Sequence, residues 1–329
     1  MKLSTTTRQT LMKWRTEHGD NLTIMAEMED ETIDLIYADP PFGIGRDFGD
    51  FDDRWQDDEY IAFMRPRLEE THRLLKPTGS LYLHCDPTES HYLKIEMDKM
   101  FGRDNFRNEI VWLRAAGRAK LSQHTPKKFG SDYDTIFFYS KPDTATFNGA
   151  HLTLTAAELD ARFPHEDDRG RYNTDTPIFC SASMGARPNQ CYEYRGIRPP
   201  YASGWRFIKE TLTAMDERGE IIWREGKRPL RKSYAADYKG KPIGNWWDDI
   251  PNLTAQKERT GYPTQKPLAL LERIIKASSN EGDLVLDPFC GSGTSGVAAA
   301  KLGRNWIGID TAELALETTH QRLQQGTLL

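Results

Sequence analysis

Long apolar runs are missing from this sequence of 329 residues. No stretch approaches the roughly 18 to 20 apolar residues that a helix needs to cross a bilayer. Residues 1–20 also lack the apolar core of a secretory signal peptide. We therefore expect a cytoplasmic protein with no membrane partner. The length suits one large α/β core with an inserted or appended smaller region.

Cysteine is also scarce, with four residues in the chain. They include no C-x-x-C pair and no other spacing typical of metal ligands, so the sequence predicts neither a zinc site nor a disulfide framework. We interpret them as reduced structural thiols and expect no metal at the functional site. The four are Cys85, Cys180, Cys191 and Cys290.

A glycine-rich loop near the end of the chain has the pattern of a ligand site. Residues 284–286 predict a short buried strand and residues 294–302 a helix, so residues 287–294 (DPFCGSGT) form a strand-to-helix turn. Glycine lets the backbone approach a ligand closely, and the first amides of the helix present unpaired donors. A second predicted strand, residues 305–310, ends in Asp310, where an α/β nucleotide site holds ribose hydroxyls.

The same loop matches the dinucleotide fingerprint G-x-G-x-x-G at residues 291–296, which leaves an NAD-dependent oxidoreductase as an alternative. Only 33 residues follow Gly296, too few for two mononucleotide-binding halves in their usual order. The loop therefore needs strands from earlier in the chain to complete a sheet. The sequence also offers no acid and base set for hydride transfer.

A second loop, residues 39–42 (DPPF), follows a strand predicted over residues 32–38. Its prolines end the strand and fix an acid and an aromatic ring at the carboxyl end, where open α/β sheets bind ligands. An amino group on adenine or cytosine is a poor nucleophile because its lone pair is delocalised into the ring. The Asp39 carboxylate and the Pro40 carbonyl can accept both N–H bonds and favour a pyramidal nitrogen, while Phe42 offers a face for an extruded base.

The two loops together resemble those of the S-adenosylmethionine-dependent DNA amino-methyltransferases. The order of the loops is that of the permuted beta group, in which a D-P-P-[YFW] motif precedes the cofactor motif. The catalytic motif of this chain is then Asp39, Pro40, Pro41 and Phe42. The resemblance runs along most of the chain, through residues 19–21 and 31–42, 74–86, 108–112, 262–267 and the glycine loop.

The resemblance implies an α/β fold: a doubly wound, Rossmann-like methyltransferase sheet, circularly permuted, with an inserted target-recognition region. It also implies S-adenosylmethionine as the cofactor, with Asp310 on the ribose, Asp20 and Asn21 at the adenine, and Thr264 and Lys266 near the methionine end. The implied cofactor-binding residues are Asp20, Asn21, Thr264, Lys266, Asp287, Phe289, Gly291, Gly293, Thr294 and Asp310.

Three regions follow from this arrangement. We expect the catalytic half of the methyltransferase domain at residues 1–114 and the cofactor-binding half at residues 246–329. Residues 115–245 are irregular and rich in proline, glycine and aromatic residues, which we interpret as the target-recognition insert, in part scaffold. In the catalytic half, residues 57–75 have apolar residues near helical spacing, and we expect Pro66 to divide them into two helices.

The net charge of −5 at first argues against a nucleic-acid partner, since phosphate contacts need clustered cations. The charges are unevenly distributed, however. Acids crowd residues 27–59, whereas basic residues cluster at 103–128 and again at 224–232. Two faces of opposite sign reconcile an acidic total with double-stranded DNA as the partner.

The first residue of the catalytic motif bears on the choice between adenine and cytosine. In the family that the chain resembles, Asp at this position is usual for adenine N6 methylation and Ser for cytosine N4 methylation. Asp39 therefore favours adenine, with cytosine N4 as the alternative. Phe42 replaces the commoner tyrosine and keeps the stacking face. Relatives in this group often pair as dimers, so a homodimer and a cognate restriction endonuclease are the protein partners that we consider.

Overall fold

A computed structural model of the protein describes residues 14–43, 55, 59–114, 130–141, 144–253 and 258–326. The chain divides into two compact units. The larger unit combines residues 1–150 with residues 243–329, and the smaller unit comprises residues 151–242. Within the described ranges, none of the helices has both the length and the apolar character that crossing a bilayer requires.

A mixed sheet forms the centre of the larger unit and has eight strands in the described part of the chain. Numbered along the chain, they are β1 (Trp14–His18), β2 (Ile33–Ala38), β3 (Leu75–Cys85), β4 (Phe106–Leu113), β5 (Tyr133–Ser140), β6 (Trp246–Trp247), β7 (Leu284–Asp287) and β8 (Asn305–Asp310). Their spatial order is β1-β8-β7-β2-β3-β5-β4-β6. Strand β5 is antiparallel to both of its neighbours, and all other neighbouring strands run parallel.

The strand order brings together two segments from opposite ends of the chain. Strands β7 and β2 are parallel neighbours, with Val285 opposite Leu35 and Leu286 opposite Ile36. The chain continues from β7 to β8 on one side and from β2 to β3 on the other. The winding of the sheet therefore reverses between β7 and β2, and such a switch point opens a crevice at the carboxyl ends of the strands.

Helices cover both faces of this sheet and create two cores. Ile36 and Ala38 of β2 point into one core, and Leu35 and Tyr37 point into the other, as the two-residue period of a strand requires. The predicted doubly wound α/β fold is thus confirmed. The first core holds α1 (Asn21–Ala26), α2 (Glu59–Leu74) and α3 (Pro87–Phe101), and the second holds α4 (Leu268–Ser278), α5 (Thr294–Lys301) and α6 (Glu313–Gly326).

The prediction that Pro66 divides its segment into two helices is wrong. A single helix, α2, contains Pro66 in its interior. Proline removes a backbone donor and costs a helix interior about 3 kcal/mol. Met64 and Leu68, on either side of Pro66, are buried in the same core. Their burial, worth about 1.5–3 kcal/mol for each side chain, offsets the loss and keeps the helix continuous.

The inserted unit is shorter than the irregular region of the sequence. Strand β5 lies inside residues 115–245, yet it is a central strand of the main sheet, and every side chain from Asp134 to Ser140 is buried. Its aromatic and β-branched residues suit a strand that is covered on both faces. The compact smaller unit accordingly extends over 151–242.

The smaller unit has a core of its own. Trp205 is fully buried there and packs with Ile178, Leu212 and Met215. Short elements surround this core. They are the strand pairs His151–Leu152 with Lys241–Pro242 and Ile221–Ile222 with Leu230–Arg231, the three strands His165–Asp167, Gly170–Asn173 and Ser233–Tyr234, and the helices Ala156–Arg162 and Lys209–Glu217.

Replacing Pro66 with alanine should stabilise the larger unit, because α2 would regain a backbone donor for the carbonyl of Ala62. We expect the free energy of unfolding, measured by urea denaturation followed by far-UV circular dichroism, to rise by about 1–3 kcal/mol. Glu69→Ala changes an exposed position of the same helix and should alter stability by less than about 0.5 kcal/mol. A Pro66→Ala variant no more stable than the Glu69→Ala control would contradict this account of α2.

Candidate active site

A cavity of about 310 Å³ opens at the carboxyl ends of β7 and β2. This volume is at the lower end of the range for small-molecule sites. Every residue predicted for the site lines the cavity except Gly293, so the fold brings together motifs that are far apart in the chain. The predicted residues on its wall are Asp20, Asn21, Asp39, Pro40, Pro41, Phe42, Thr264, Lys266, Asp287, Phe289, Gly291, Thr294 and Asp310.

The loop after β7 makes a tight turn that depends on glycine. Gly291 has a φ of +48° and Gly293 a φ of +70°, both in the left-handed region that side chains disfavour. A Cβ atom on Gly293 would lie 2.5 Å from the side chain of Thr319. Gly293 therefore shapes the turn from outside the cavity. As the N-cap of α5, it sets the first helical residue, Thr294, on the cavity wall.

Asp310, at the end of β8, is fixed by backbone donors. The amide of Gly291 donates to its Oδ2 at 2.8 Å, and the amide of Ala312 donates to its Oδ1 at 2.9 Å. Burial raises the pKa of Asp310, while these hydrogen bonds oppose the shift. Each carboxylate oxygen has a second lone pair, so Asp310 can also accept hydroxyl donors from a ligand in the cavity.

Asp287 ends β7 and is almost fully buried. Burial raises its pKa to about 7, against hydrogen bonds from the Ser295 hydroxyl and the Phe289 amide that favour the ionised form. The indole N–H of Trp306 donates to the same Ser295 oxygen at 3.1 Å. Near neutral pH this carboxyl group therefore exchanges a proton while its position stays fixed.

Arg67 organises the part of the cavity next to Asp20 and Asn21. Its guanidinium donates to Oδ2 of Asp20 at 2.5 Å and to Oδ1 of Asn21 at 2.7 Å. The Asn21 amide in turn donates to the carbonyl of Pro288 at 2.6 Å. Burial lowers the pKa of Arg67, and the ion pair with Asp20 counteracts that shift. Asp20 also caps α1 by accepting from the amide of Leu22.

The two carboxylate oxygens of Asp39 have different surroundings. The Lys266 ammonium donates to Oδ2 at 2.6 Å. The other oxygen, Oδ1, is buried and has no hydrogen-bond partner among the residues that the structure describes. A buried acceptor without a partner costs about 1–3 kcal/mol. Oδ1 is consequently an open position for a donor on a ligand.

Phe42 completes this side of the cavity. The Lys266 ammonium lies 4.9 Å from the centre of its ring, and the His84 ring packs against it at a centroid distance of 5.7 Å. Thr264 and Lys266 both line the cavity. The resemblance placed Lys266 at the methionine end of a cofactor, whereas in this structure its ammonium binds the carboxylate of Asp39.

Sequence reasoning missed three residues of this region: Tyr37, Arg67 and His84. Tyr37 and Arg67 line the cavity, and His84 packs against Phe42 and lies near Asp39. Arg67 belongs to the middle of α2 and His84 to the end of β3. None of the three belongs to the D-P-P-F motif or to the glycine loop. Arg67 and His84 reach the site through the packing of α2 and β3, and Tyr37 lies on β2 itself, two residues before Asp39. The unusual feature of Arg67 is its burial within an amphipathic helix, and burial cannot be read from the sequence.

The described residues contain no group of three or more His, Cys, Asp or Glu side chains placed to hold a metal ion. The four cysteines are free, and Cys85, Cys180 and Cys290 are buried. Burial raises the pKa of the Cys290 thiol beside the glycine loop. This thiol is therefore protonated at neutral pH and serves as a packing residue.

Comparison with known families decides where this architecture belongs. A family model described as DNA methylase matches residues 33–321 of the chain, which covers both cavity-forming loops. The chain belongs to the DNA methylase family.

Relatives of this DNA methylase include proteins named as type II methyltransferases. Type II methyltransferase M.EcaI of Enterobacter cloacae is 33% identical over 307 residues, covering 91% of this chain but 66% of that protein. DNA adenine methyltransferase YhdJ of Escherichia coli (strain K12) is 29% identical over 294 residues, covering 89% of this chain and 76% of that protein. The structure of a DNA modification methylase from Thermus thermophilus, complexed with S-adenosyl-L-methionine, has the same fold: TM-score 0.50 and 18% identity, over 95% of this chain and 94% of that one.

The raised pKa of Asp287 predicts a pH-dependent stability that Asp287→Asn should remove. Because the folded-state pKa is about 7, up from 3.8, the stability linked to this group is fully present below pH 4 and is lost as the pH rises to 7. In the absence of ligands, the variant should match the wild type near pH 4. As the pH rises to 7, the free energy of unfolding of the variant should increasingly exceed that of the wild type, by at most about 4 kcal/mol.

Urea unfolding at intervals between pH 4 and pH 8.5 measures this difference. Asp104→Asn, which changes an exposed carboxylate far along the chain from the cavity loops, should follow the wild type at every pH. Parallel pH profiles for the wild type and Asp287→Asn would show that Asp287 is ionised throughout and would contradict the prediction.

Proposed function

We propose that this DNA methylase transfers a methyl group from S-adenosylmethionine to the exocyclic N6 of an adenine that is flipped out of double-stranded DNA. The observation that carries the proposal is Oδ1 of Asp39, which is buried and accepts no hydrogen bond from any described residue. It lies in the catalytic motif at the wall of the cavity, next to the turn formed by Pro40 and Pro41.

An acceptor at this position activates an amino group. The nitrogen lone pair of adenine N6 is delocalised into the ring, so the flat amine is a weak nucleophile. If Oδ1 of Asp39 and the carbonyl of Pro40 accept its two N–H bonds, the nitrogen becomes pyramidal and its lone pair turns towards the cofactor side. The ring of Phe42 supplies the stacking surface that holds the extruded base.

Lys266 supports this arrangement without competing for the open oxygen. Its ammonium occupies Oδ2, which orients the carboxylate and keeps a positive charge beside it. Charge-assisted hydrogen bonds of this kind are about twice as strong as neutral ones. We therefore assign Lys266 to the positioning of Asp39, in addition to its place on the cavity wall.

The remaining wall of the cavity fits S-adenosylmethionine. Asp310 retains lone pairs for ribose hydroxyls, and the glycine loop allows close approach of the backbone. Four carboxyl groups but only two cationic side chains, Arg67 and Lys266, are among the described residues that line the cavity, which favours a ligand with a positive centre. When bound, the cofactor supplies an electrophilic methyl group on a positively charged sulfur. The residues assigned to it are Asp20, Asn21, Thr264, Asp287, Phe289, Gly291, Gly293, Thr294 and Asp310.

Adenine is the preferred target for two reasons. Asp39 occupies the motif position where the adenine-specific members of the resembled family carry Asp, and a relative that matches 89% of the chain is named as a DNA adenine methyltransferase. Cytosine N4 is the alternative, because the matching family model covers both N6 and N4 methylation and the chemistry at Asp39 would be the same.

Product analysis tests the proposal directly. The protein is incubated with S-adenosylmethionine and unmethylated genomic DNA, and the digested nucleosides are identified by mass spectrometry. N6-methyladenine is the expected product. Detection of N4-methylcytosine would show that the target base is cytosine and would leave the mechanism unchanged. The absence of both products with every DNA tested would refute the proposed function.

Asp39→Ala should abolish methyl transfer, because the target amine loses its carboxylate acceptor. We expect the rate of a single turnover to fall by at least about 10³-fold, a loss of roughly 4 kcal/mol of transition-state stabilisation. Binding of S-adenosylmethionine, measured by calorimetry, should change by less than about threefold. Asp104→Ala serves as the matched control at an exposed acid. Near-normal turnover by Asp39→Ala would remove Asp39 from the mechanism.

Target recognition is assigned to the smaller unit, which carries a groove of about 930 Å³. None of the described residues that line this groove is acidic, and Tyr201 and Met184 expose 50% and 44% of their surface there. Cations without acids suit DNA phosphates, and exposed apolar faces suit sugars and bases. The cations of the groove are Arg198, Arg206, Arg224, Lys227 and Arg228.

Removing two cations from this groove should weaken DNA binding in a salt-dependent way. Arg206 and Lys227 are both exposed, so the variant with both residues changed to Ala should keep its fold. If each contacts one phosphate, the slope of log affinity against log salt concentration should fall by about 0.9 per residue. Lys239→Ala, at an exposed cation of the same unit outside the groove, is the control. A slope equal to that of the control would exclude the groove from DNA binding.

Other expectations from the sequence remain predictions. The cytoplasmic location that we expect from the sequence would fit a DNA substrate. A homodimer and a cognate restriction endonuclease would fit relatives named as type II methyltransferases. Size-exclusion chromatography with light scattering tests the first of these partners.

A further inference from the structure

A buried polar network lies directly behind the catalytic motif. The Tyr37 hydroxyl is 2.8 Å from Nδ1 of His84, and Nε2 of His84 is 3.1 Å from Oδ2 of Asp134. All three side chains are buried, with His84 at 0% exposure. None of them belongs to the catalytic or cofactor motif. Low polarity in the core strengthens these hydrogen bonds. The second carboxylate oxygen of Asp134, Oδ1, makes no hydrogen bond with the described residues and lies 3.5 Å from the Arg114 guanidinium.

The charge state of Asp134 decides which ring nitrogen of His84 carries the proton. Burial alone would raise the pKa of Asp134, but the hydrogen bond and charge interaction with His84, followed by the charges of Lys266 and Arg114, outweigh it and lower the pKa. An ionised carboxylate only accepts hydrogen bonds. Nε2 must therefore be the donor. In a ring with a single proton, Nδ1 then carries a lone pair and can accept from the Tyr37 hydroxyl.

The position of His84 makes this tautomer matter for Asp39. Nδ1 lies 3.9 Å from Oδ1 of Asp39, the buried oxygen that makes no hydrogen bond within the described part of the chain. A proton on Nδ1 would be within reach of Oδ1 after a small movement of either group, and it would occupy the acceptor that the target amine needs. A lone pair on Nδ1 cannot do so.

The ring of His84 cannot easily turn to exchange its two nitrogens. Trp112 packs edge-on against it at a centroid distance of 5.6 Å, and Phe42 packs on another side at 5.7 Å. Both hydrogen bonds would break during a rotation. The tautomer, and not the orientation of the ring, is consequently the property that the surroundings control.

We propose that Asp134 fixes His84 in the Nε2–H tautomer and thereby keeps Oδ1 of Asp39 open for the amino group of the target base. Asp134 and His84 are positioning residues, since they act on the substrate only through Asp39. The inference rests on the proposed function, because it explains why the acceptor of that reaction is unoccupied. The same logic governs metal and catalytic histidines, whose tautomer is set by the partner of the second nitrogen.

The first experiment measures the tautomer in the wild-type protein. Long-range ¹H–¹⁵N correlation spectra of protein labelled with ¹⁵N-histidine distinguish Nε2–H, Nδ1–H and doubly protonated rings, and His84→Gln identifies the signal of His84. We expect Nε2–H at pH 7.5. A proton on Nδ1 in the folded wild type, in either the neutral or the charged ring, would overturn the proposal, whatever any variant does.

The second experiment changes the tautomer with little change of shape. In Asp134→Asn the amide can donate to Nε2, which moves the ring proton to Nδ1. We expect kcat to fall about 10- to 100-fold, while the dissociation constant of S-adenosylmethionine changes less than twofold. A shifted tautomer with wild-type kcat would overturn the proposal, and so would a loss of kcat without a shift of the tautomer.

Tyr37→Phe separates the tautomer from the network as a whole and remains informative if Asp134→Asn does not fold. It removes one hydrogen bond but leaves Asp134 on Nε2, so the ring should stay Nε2–H and kcat should fall severalfold less than in Asp134→Asn. A loss as large as about 100-fold with the tautomer unchanged would count against the proposal. Absence of methyl transfer in the wild type would instead refute the proposed function, since the tautomer is measured without substrate.

Discussion

The pairing of β7 with β2 is the contact on which the site depends. It joins strands from opposite ends of the chain through two aligned residue pairs, Val285 with Leu35 and Leu286 with Ile36. Asp34 reinforces it, because its carboxylate accepts from the amide of Leu284 at 2.9 Å. The carboxyl ends of both strands therefore lie at one edge of the sheet. Without this pairing the glycine loop and the catalytic motif would belong to separate halves, and neither would form a complete cavity.

Several acidic side chains lie close together at this edge of the sheet, and their mutual repulsion is reduced in several ways. Four carboxyl groups line one cavity: Asp20, Asp39, Asp287 and Asp310. Arg67 and Lys266 neutralise the first two, backbone amides hold the last, and Asp287 has its pKa raised to about 7 by burial. Each solution leaves the cavity with a surplus of acceptors. A cationic cofactor and an amino-group substrate are the ligands that such a surplus favours.

The fold could be predicted from the sequence where local pattern and tertiary role agree. Apolar runs before residues 39–42 and 287–294 marked β2 and β7, and the glycine spacing marked the start of α5, because a strand, a tight turn and a helix each leave a local signature. The predicted helix break at Pro66 was wrong because the cost of a proline inside α2 is offset by the burial of Met64 and Leu68 in the core. Strand β5 was missed because its aromatic run lies within a stretch dominated by prolines and glycines.

The site was only partly predictable, for a related reason. Asp39 and Asp310 could be placed on the cavity wall from the sequence, since each lies at the end of a predicted strand. The partners that tune them could not. Arg67 reaches Asp20 from 47 residues away, and no spacing rule connects a residue in the middle of an amphipathic helix with a strand end. Such partners are set by how elements pack, and packing is what a single sequence does not display.

The unequal treatment of the two Asp39 oxygens links stability to function. A protein optimised for stability alone would give both oxygens a donor, and a hydroxyl or amide near Oδ1 would regain about 1–3 kcal/mol. Instead Lys266 satisfies Oδ2, and Oδ1 lies beside a histidine nitrogen that offers a lone pair. The missing hydrogen bond is available to whatever donor enters the cavity. Under the proposed function, an amine that donates to Oδ1 recovers this free energy, so the feature that lowers stability would also favour binding of the reacting group.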